Sequence, residues 1–107
     1  MEIEGDFMSF SNEFVVFTGT LNRMTRDQAK SLIYSLSGHC QNAVSKKTTI
    51  LVVGYSPIEL FEQDSLSKKR LEVNHFISLG YSIVILTEND FLKRANNQLV
   101  KMIGSIS

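Results

Sequence analysis

Phe14-Val15-Val16-Phe17 runs directly into Thr18-Gly19-Thr20-Leu21, and this octet restricts the fold more than any other stretch. Four large apolar residues in a row leave no polar face, so a strand built from them must be covered on both sides. Such a strand belongs inside an α/β sheet with helices above and below it. The run then gives way to a small, polar turn. Gly19 lets a backbone N–H come close to a ligand, and the hydroxyls of Thr18 and Thr20 can donate or accept beside it. A buried strand ending in a polar loop ahead of a helix is where α/β sheets place binding sites.

The following segments supply the covering layers. Thr25 with Gln28 has the spacing of a capping box, and Ala29, Leu32, Ile33 and Leu36 then fall on one helical stripe. Gly38 is the expected stop. His39 to Val44 reads as a short edge strand, Ser45 to Thr49 as a polar turn, and Ile50 to Val53 as a second buried strand ended by Gly54. A long loop from Tyr55 to Leu66 carries the single proline, Pro57. Its Ile58, Leu60 and Phe61 either cover the edge of the core or form an exposed patch for a partner.

A second helix is expected from Ser65 or Ser67, opening on Lys68-Lys69-Arg70, with Val73, Phe76 and Ile77 as its core face and Gly80 as its end. Tyr81 to Leu86 is the last strand. Thr87 caps a third helix with Asp90 at the third helical position, and Leu86 and Phe91 have staple spacing. The order is therefore β-α-β-β-α-β-α. Strands joined through helices run parallel with right-handed crossovers, giving a three-layer α/β fold whose four-stranded parallel sheet is flanked by three helices. Residues 1–12 read as an irregular lead-in, 13–96 as the domain and 97–107 as a C-terminal extension.

At 107 residues the chain makes one domain. Eleven basic and eleven acidic side chains cancel, which excludes a whole-surface basic field; any nucleic-acid contact needs a local patch. The single cysteine, Cys40, allows no internal disulfide and has no zinc-ligand spacing. No apolar run approaches the roughly 20 residues of a membrane span, and Glu2, Glu4 and Asp6 stand where a signal peptide is basic. The expected location is intracellular, in the bacterial cytoplasm with the nucleoid or in a eukaryotic nucleus.

Catalytic chemistry finds no footing. His39 and Cys40 adjoin but lack a partner cluster for a metal, and His75 reads as a surface or boundary residue. Asp64, Glu88 and Asp90 read as loop or capping groups. Gly19 lacks the later glycines of a dinucleotide fingerprint. No metal, cofactor or small-molecule substrate is expected.

Taken together, "FVVFTGTL", a helix ending in "LSGH", "VSKKTTILVVG" and "SKKR…LGYSIVILTENDFL" resemble a BRCT domain over about Glu13 to Ala95. The likeness is to the single BRCT domains of bacterial NAD-dependent DNA ligases, of exonuclease proteins related to the DNA polymerase III proofreading subunit, and of the replication factor C large subunit. Two departures stand out. The last helix lacks the tryptophan common in the family, Phe91 taking its place, and the second helix is about one turn longer than in the shortest members. The resemblance implies sheet order 2-1-3-4 and a non-catalytic recognition module of a DNA replication or repair protein.

By the same resemblance Thr18, Gly19 and Lys69 would hold a phosphate, with Arg26 in support as in the replication factor C type. The chemistry suits a dianion: a short hydroxyl, an open backbone N–H, an ammonium and a helix N-terminus. Lys69 lies four residues before Val73, on the side of the helix that faces the sheet; Lys68 is the alternative. Thr20, Lys46, Lys47 and Lys68 are auxiliary candidates for DNA contact, Lys46 and Lys47 being otherwise solvated turn residues. The implied partner is a DNA end carrying a 5′ phosphate, or a nick. The alternative is a protein partner, with or without a phosphopeptide, that docks a larger DNA-processing enzyme.

Overall fold

A computed structural model describes residues 9–55 and 68–106. The expected apolar loop residues Ile58, Leu60 and Phe61, with Pro57 and Asp64, lie outside the described residues. The described elements are β1 (Phe14–Thr18), α1 (Arg26–Ser35), β2 (His39–Cys40), β3 (Ile50–Val53), α2 (Lys68–Ser78), β4 (Val84–Thr87) and α3 (Glu88–Ile106). The four strands form one sheet in the order β2-β1-β3-β4, parallel at every pairing. Val15 pairs with Cys40 on one side and Ile50 on the other, so β1 is an interior strand.

Alternation along the strands divides the core into two layers. Val15 and Phe17 of β1, Ile50 and Val52 of β3 and Leu86 of β4 pack with Ala29 and Ile33 of α1, with Leu36 at its C-terminal cap, and with Phe91 and Ala95 of α3. Val16 and Leu51 point the other way, to Val73 of α2 and to Ile83. Each fully buried Val, Leu, Ile or Phe contributes about 1.5–3 kcal/mol, so the two-sided burial of β1 and β3 dominates stability. Phe91 is fully buried, edge-on to Phe17 with ring centroids 5.6 Å apart, and 5.5 Å from Phe10. It occupies the place expected for an aromatic anchor in the last helix.

Several elements differ from their expected form. Only His39 and Cys40 of the His39–Val44 segment pair as a strand, because Gln41 turns its side chain to Ser45 and Thr48 and closes the next turn. The last strand is Val84–Thr87 rather than Tyr81–Leu86. Tyr81 instead completes the end of α2. Its N–H donates to the Phe76 carbonyl (3.1 Å) and the Gly80 N–H to the Ile77 carbonyl (2.9 Å), while the Phe76 and Tyr81 rings meet edge-on at 5.2 Å. Gly80 takes the left-handed φ of +103° that this ending needs. Ile77, expected on the core face, is 40 % exposed, since Val73 and Phe76 already fill the contact with the sheet.

Gly38 is not the left-handed residue that ends α1. Ser37 is, with φ +70°, its N–H donating to the Tyr34 carbonyl and the Gly38 N–H to the Ile33 carbonyl. Gly38 is required for space: a Cβ there would stand 2.8 Å from both the Ile33 Cγ2 and the Phe10 carbonyl oxygen.

α3 runs without a break past residue 96 to Ile106 and fastens the chain's early residues. The Gln98 side-chain oxygen accepts from the Phe10 N–H (2.8 Å), and its amide nitrogen donates to the Leu36 carbonyl (3.0 Å) at the end of α1. Arg94, only 8 % exposed, donates to the Ser9 carbonyl (3.0 Å), lies over the Phe10 ring and faces Glu13 at 3.7 Å. Burial pushes the Arg94 guanidinium below its ordinary range, and Glu13 opposes that shift. These ties carry Phe10, which precedes β1, into the fully buried core.

Two measurements check this packing. Ser37→Gly should stabilise the domain by about 0.5–1 kcal/mol by relieving the left-handed penalty, and Gly38→Ala should destabilise it by about 1–3 kcal/mol through overpacking; thermal melts of the pair should move in opposite directions. Gln98→Ala leaves the Phe10 N–H and the Leu36 carbonyl without their partner, and should cost about 2–3 kcal/mol in chemical denaturation.

Candidate anion-binding site

The C-terminal end of β1 is shaped by two glycines pressed together. Gly19 has φ +80°, and a Cβ on it would stand 2.9 Å from the Gly54 carbonyl group. A Cβ on Gly54 would stand 2.5 Å from the Thr20 carbonyl oxygen. Both positions require glycine because backbone meets backbone. The Gly54 N–H donates to the Thr18 carbonyl (2.7 Å), and Thr20 and Tyr55 exchange N–H donors and carbonyl acceptors in an antiparallel bridge. The Thr20 side chain is exposed beyond that bridge. The Gly19 N–H has no acceptor among the described residues.

Two cations converge on this corner from opposite layers. Lys69, in the first turn of α2, donates from Nζ to the Phe17 carbonyl at 2.9 Å. Arg26, the first residue of α1, donates from Nη2 to the Gly19 carbonyl at 2.7 Å and lies 5.9 Å from the Phe17 ring centroid. The two carbonyls flank Thr18, which is 8 % exposed. Desolvation lowers the Lys69 ammonium below the ordinary lysine range; the positive charges of Arg26 and Lys30 lower it further, and Glu72 partly offsets them. Neutral carbonyls compensate two neighbouring charges only partly, so an anion arriving here relieves repulsion as well as gaining donors.

Beside the corner lies an open cleft of about 620 Å³, lined by Gly19, Thr20, Asn22, Arg23, Thr25 and Arg26 among others. The α1 capping box forms as expected. Thr25 accepts from the Gln28 N–H (3.0 Å), and Gln28 accepts from the Thr25 N–H (2.9 Å).

The structure thus brings Thr18, Gly19, Arg26 and Lys69 together. Lys69, not Lys68, takes the inward position; Lys68 is exposed beside Val44, Leu71, Glu72 and His75. Lys46 and Lys47 are exposed at the opposite end of the sheet, about one strand length (~13 Å) from the corner. The motif around them serves the turn: the buried Thr48 accepts from the Ser45 N–H (2.9 Å) and donates to Gln41 (2.6 Å).

Glu88, read from the sequence as a loop or capping group, has a different role. Its two carboxylate oxygens accept separately from the Asn22 and Arg23 N–H groups, each at 2.8 Å, and tie the β1–α1 loop to the start of α3. Asp90 does cap, exchanging hydrogen bonds with Thr87 (3.1 and 3.5 Å). No sequence signal marks a carboxylate contact across 65 residues. Among the described residues no group of His, Cys, Asp and Glu could hold a metal ion, and no helix is long and apolar enough to cross a membrane.

Comparison with known proteins agrees with this architecture. The profile of the BRCA1 C Terminus (BRCT) domain matches residues 8–84. The chain is 38% identical over 84 residues to a DNA ligase of Geotalea daltonii, covering 78% of this chain and 10% of the ligase. It is 39% identical over 83 residues to a DNA ligase of Pseudothermotoga lettingae, again 78% and 10%. A DNA ligase of Syntrophus aciditrophicus is 35% identical over 80 residues. The chain spans about a tenth of the length of these relatives. The sheet order, the glycine-bounded corner at the end of β1 and the match across most of its length make this chain a member of the BRCT domain family.

Proposed function

We propose that this domain is a non-catalytic recognition module of a DNA replication or repair protein and that it binds the 5′-terminal phosphate of a DNA end or nick. The observation that carries the reading is the convergence of Lys69 and Arg26 on the carbonyls flanking Thr18, next to the Gly19 N–H. A terminal phosphate bears about −1.5 to −2 charges at neutral pH, against one on a backbone diester, so a compact two-cation corner favours ends over interior DNA. Thr18 supplies the short hydroxyl. The neutral overall charge fits a local contact rather than a broad electrostatic footprint. The relatives' description as DNA ligases supports a DNA setting. The parent protein on this reading is a DNA-joining enzyme, or an exonuclease that carries the same module.

Fluorescence anisotropy with a recessed duplex, with and without its 5′ phosphate, tests the proposal. The phosphorylated duplex should bind about tenfold more tightly, and Lys69→Ala should abolish that preference and reduce the salt slope by about one. Arg26→Ala should weaken it by a smaller factor. Equal binding to both duplexes refutes the reading, and salt-insensitive association with a protein would replace it with a docking module.

The phosphate-dependent affinity should also vary with pH. It should rise through about pH 6 as the terminal phosphate loses its second proton. It should fall on the alkaline side before the ordinary lysine range, because the lowered Lys69 ammonium gives up its proton early. Titrations of the wild type across pH read both limbs, and Lys69→Ala, which loses the phosphate preference, should show neither.

A further inference from the structure

The geometry points to Glu88 as the positioning residue that sets the strength of the cation corner, an inference that rests on the phosphate-binding reading. The loop from Leu21 to Met24 joins the two halves of the site, Gly19 at the end of β1 and Arg26 at the start of α1. Its ends are fixed by the Thr20–Tyr55 bridge and by the Thr25 cap. Between those anchors, among the described residues, the hydrogen bonds made by the loop backbone are the two from Asn22 and Arg23 to Glu88. Leu21 and Met24 add apolar contacts with the core beneath.

Glu88 is well suited to this task. It is the first residue of α3, next to Thr87 and Asp90, whose reciprocal bonds fix the start of that helix. α3 is anchored in turn by the buried Phe91 and Ala95. Each carboxylate oxygen takes one N–H of two consecutive residues, a charge-assisted pair that fixes both the position and the orientation of the loop. A loop held in this way keeps the Gly19 N–H and the Arg26 guanidinium at the spacing an anion requires before it arrives, so little ordering is left for the binding step.

The sign of the effect separates positioning from charge. Glu88 is negative, so a purely coulombic role predicts that its neutralisation tightens anion binding. Positioning predicts the reverse. In the 107-residue chain, Glu88→Gln puts an amide NH2 against one of the two backbone donors, and Glu88→Ala removes both acceptors. The probes are the recessed duplexes with and without 5′ phosphate, together with amide hydrogen exchange of Gly19 to Arg26 in the ligand-free protein.

The expected result is a cooperative melt for both variants, faster exchange at the Asn22 and Arg23 amides, and at least about a fivefold loss of affinity for the phosphorylated duplex. Binding to the unphosphorylated duplex should be unchanged, which a general loss of folded protein would not produce. If both variants bind the phosphorylated duplex as tightly as wild type or more tightly, while Lys69→Ala loses the phosphate preference, this inference falls and the functional reading stands. If the wild type itself ignores the phosphate, both fall together.

Discussion

β1 is hydrogen-bonded on both edges and packed on both faces, and nearly every other feature answers to that constraint. An interior parallel strand has no face for water, so α1 and α3 must cover Val15 and Phe17 while α2 covers Val16. Where β1 ends, its last carbonyls leave the ladder at a point that helices from both layers overlook. The cation corner is a consequence of that geometry. Lys69 and Arg26 start helices on opposite sides of the sheet, and the strand end is where their side chains can meet. The Gly19–Gly54 contact makes the meeting possible by bringing the ends of β1 and β3 together without side chains between them.

α3 gives this arrangement its rigidity, through polar contacts at three levels along its length. Glu88 holds the β1–α1 loop, Arg94 holds Ser9 and Glu13, and Gln98 holds Phe10 and the last carbonyl region of α1. Apart from the Arg94–Glu13 ion pair, these contacts satisfy backbone groups that the regular elements leave over. The helix therefore works as a spine to which both the site loop and the start of the chain are fastened.

Local signals in the chain were legible wherever the interaction itself was local. The Thr25–Gln28 and Thr87–Asp90 boxes need only three-residue spacing, and both formed. The inward reach of Lys69 followed from its distance to Val73 along one helix face. Gly38 shows how a correct boundary can carry the wrong reason. Sequence marks the end of α1 there, but Ser37 adopts the left-handed conformation and Gly38 makes room for Phe10, a residue whose approach no local pattern announces. The last strand slipped for a similar reason: Tyr81 was taken up by the α2 ending through its contact with Phe76.

Beyond what the family resemblance implied for Lys69 and Arg26, the sequence by itself determined the layered α/β order and the place of the polar Thr18-Gly19 corner at the end of β1. These follow from apolar run length, helical period and capping spacing, which act over a few residues. Only the tertiary structure decided that Arg26 and Lys69 share one corner, that Lys46, Lys47 and Lys68 stand away from it, and that Glu88 braces the loop between. Those outcomes depend on which strand lies beside which and how far each helix overhangs the sheet. They are set when the two faces of β1 are buried together, and no spacing along the chain encodes them.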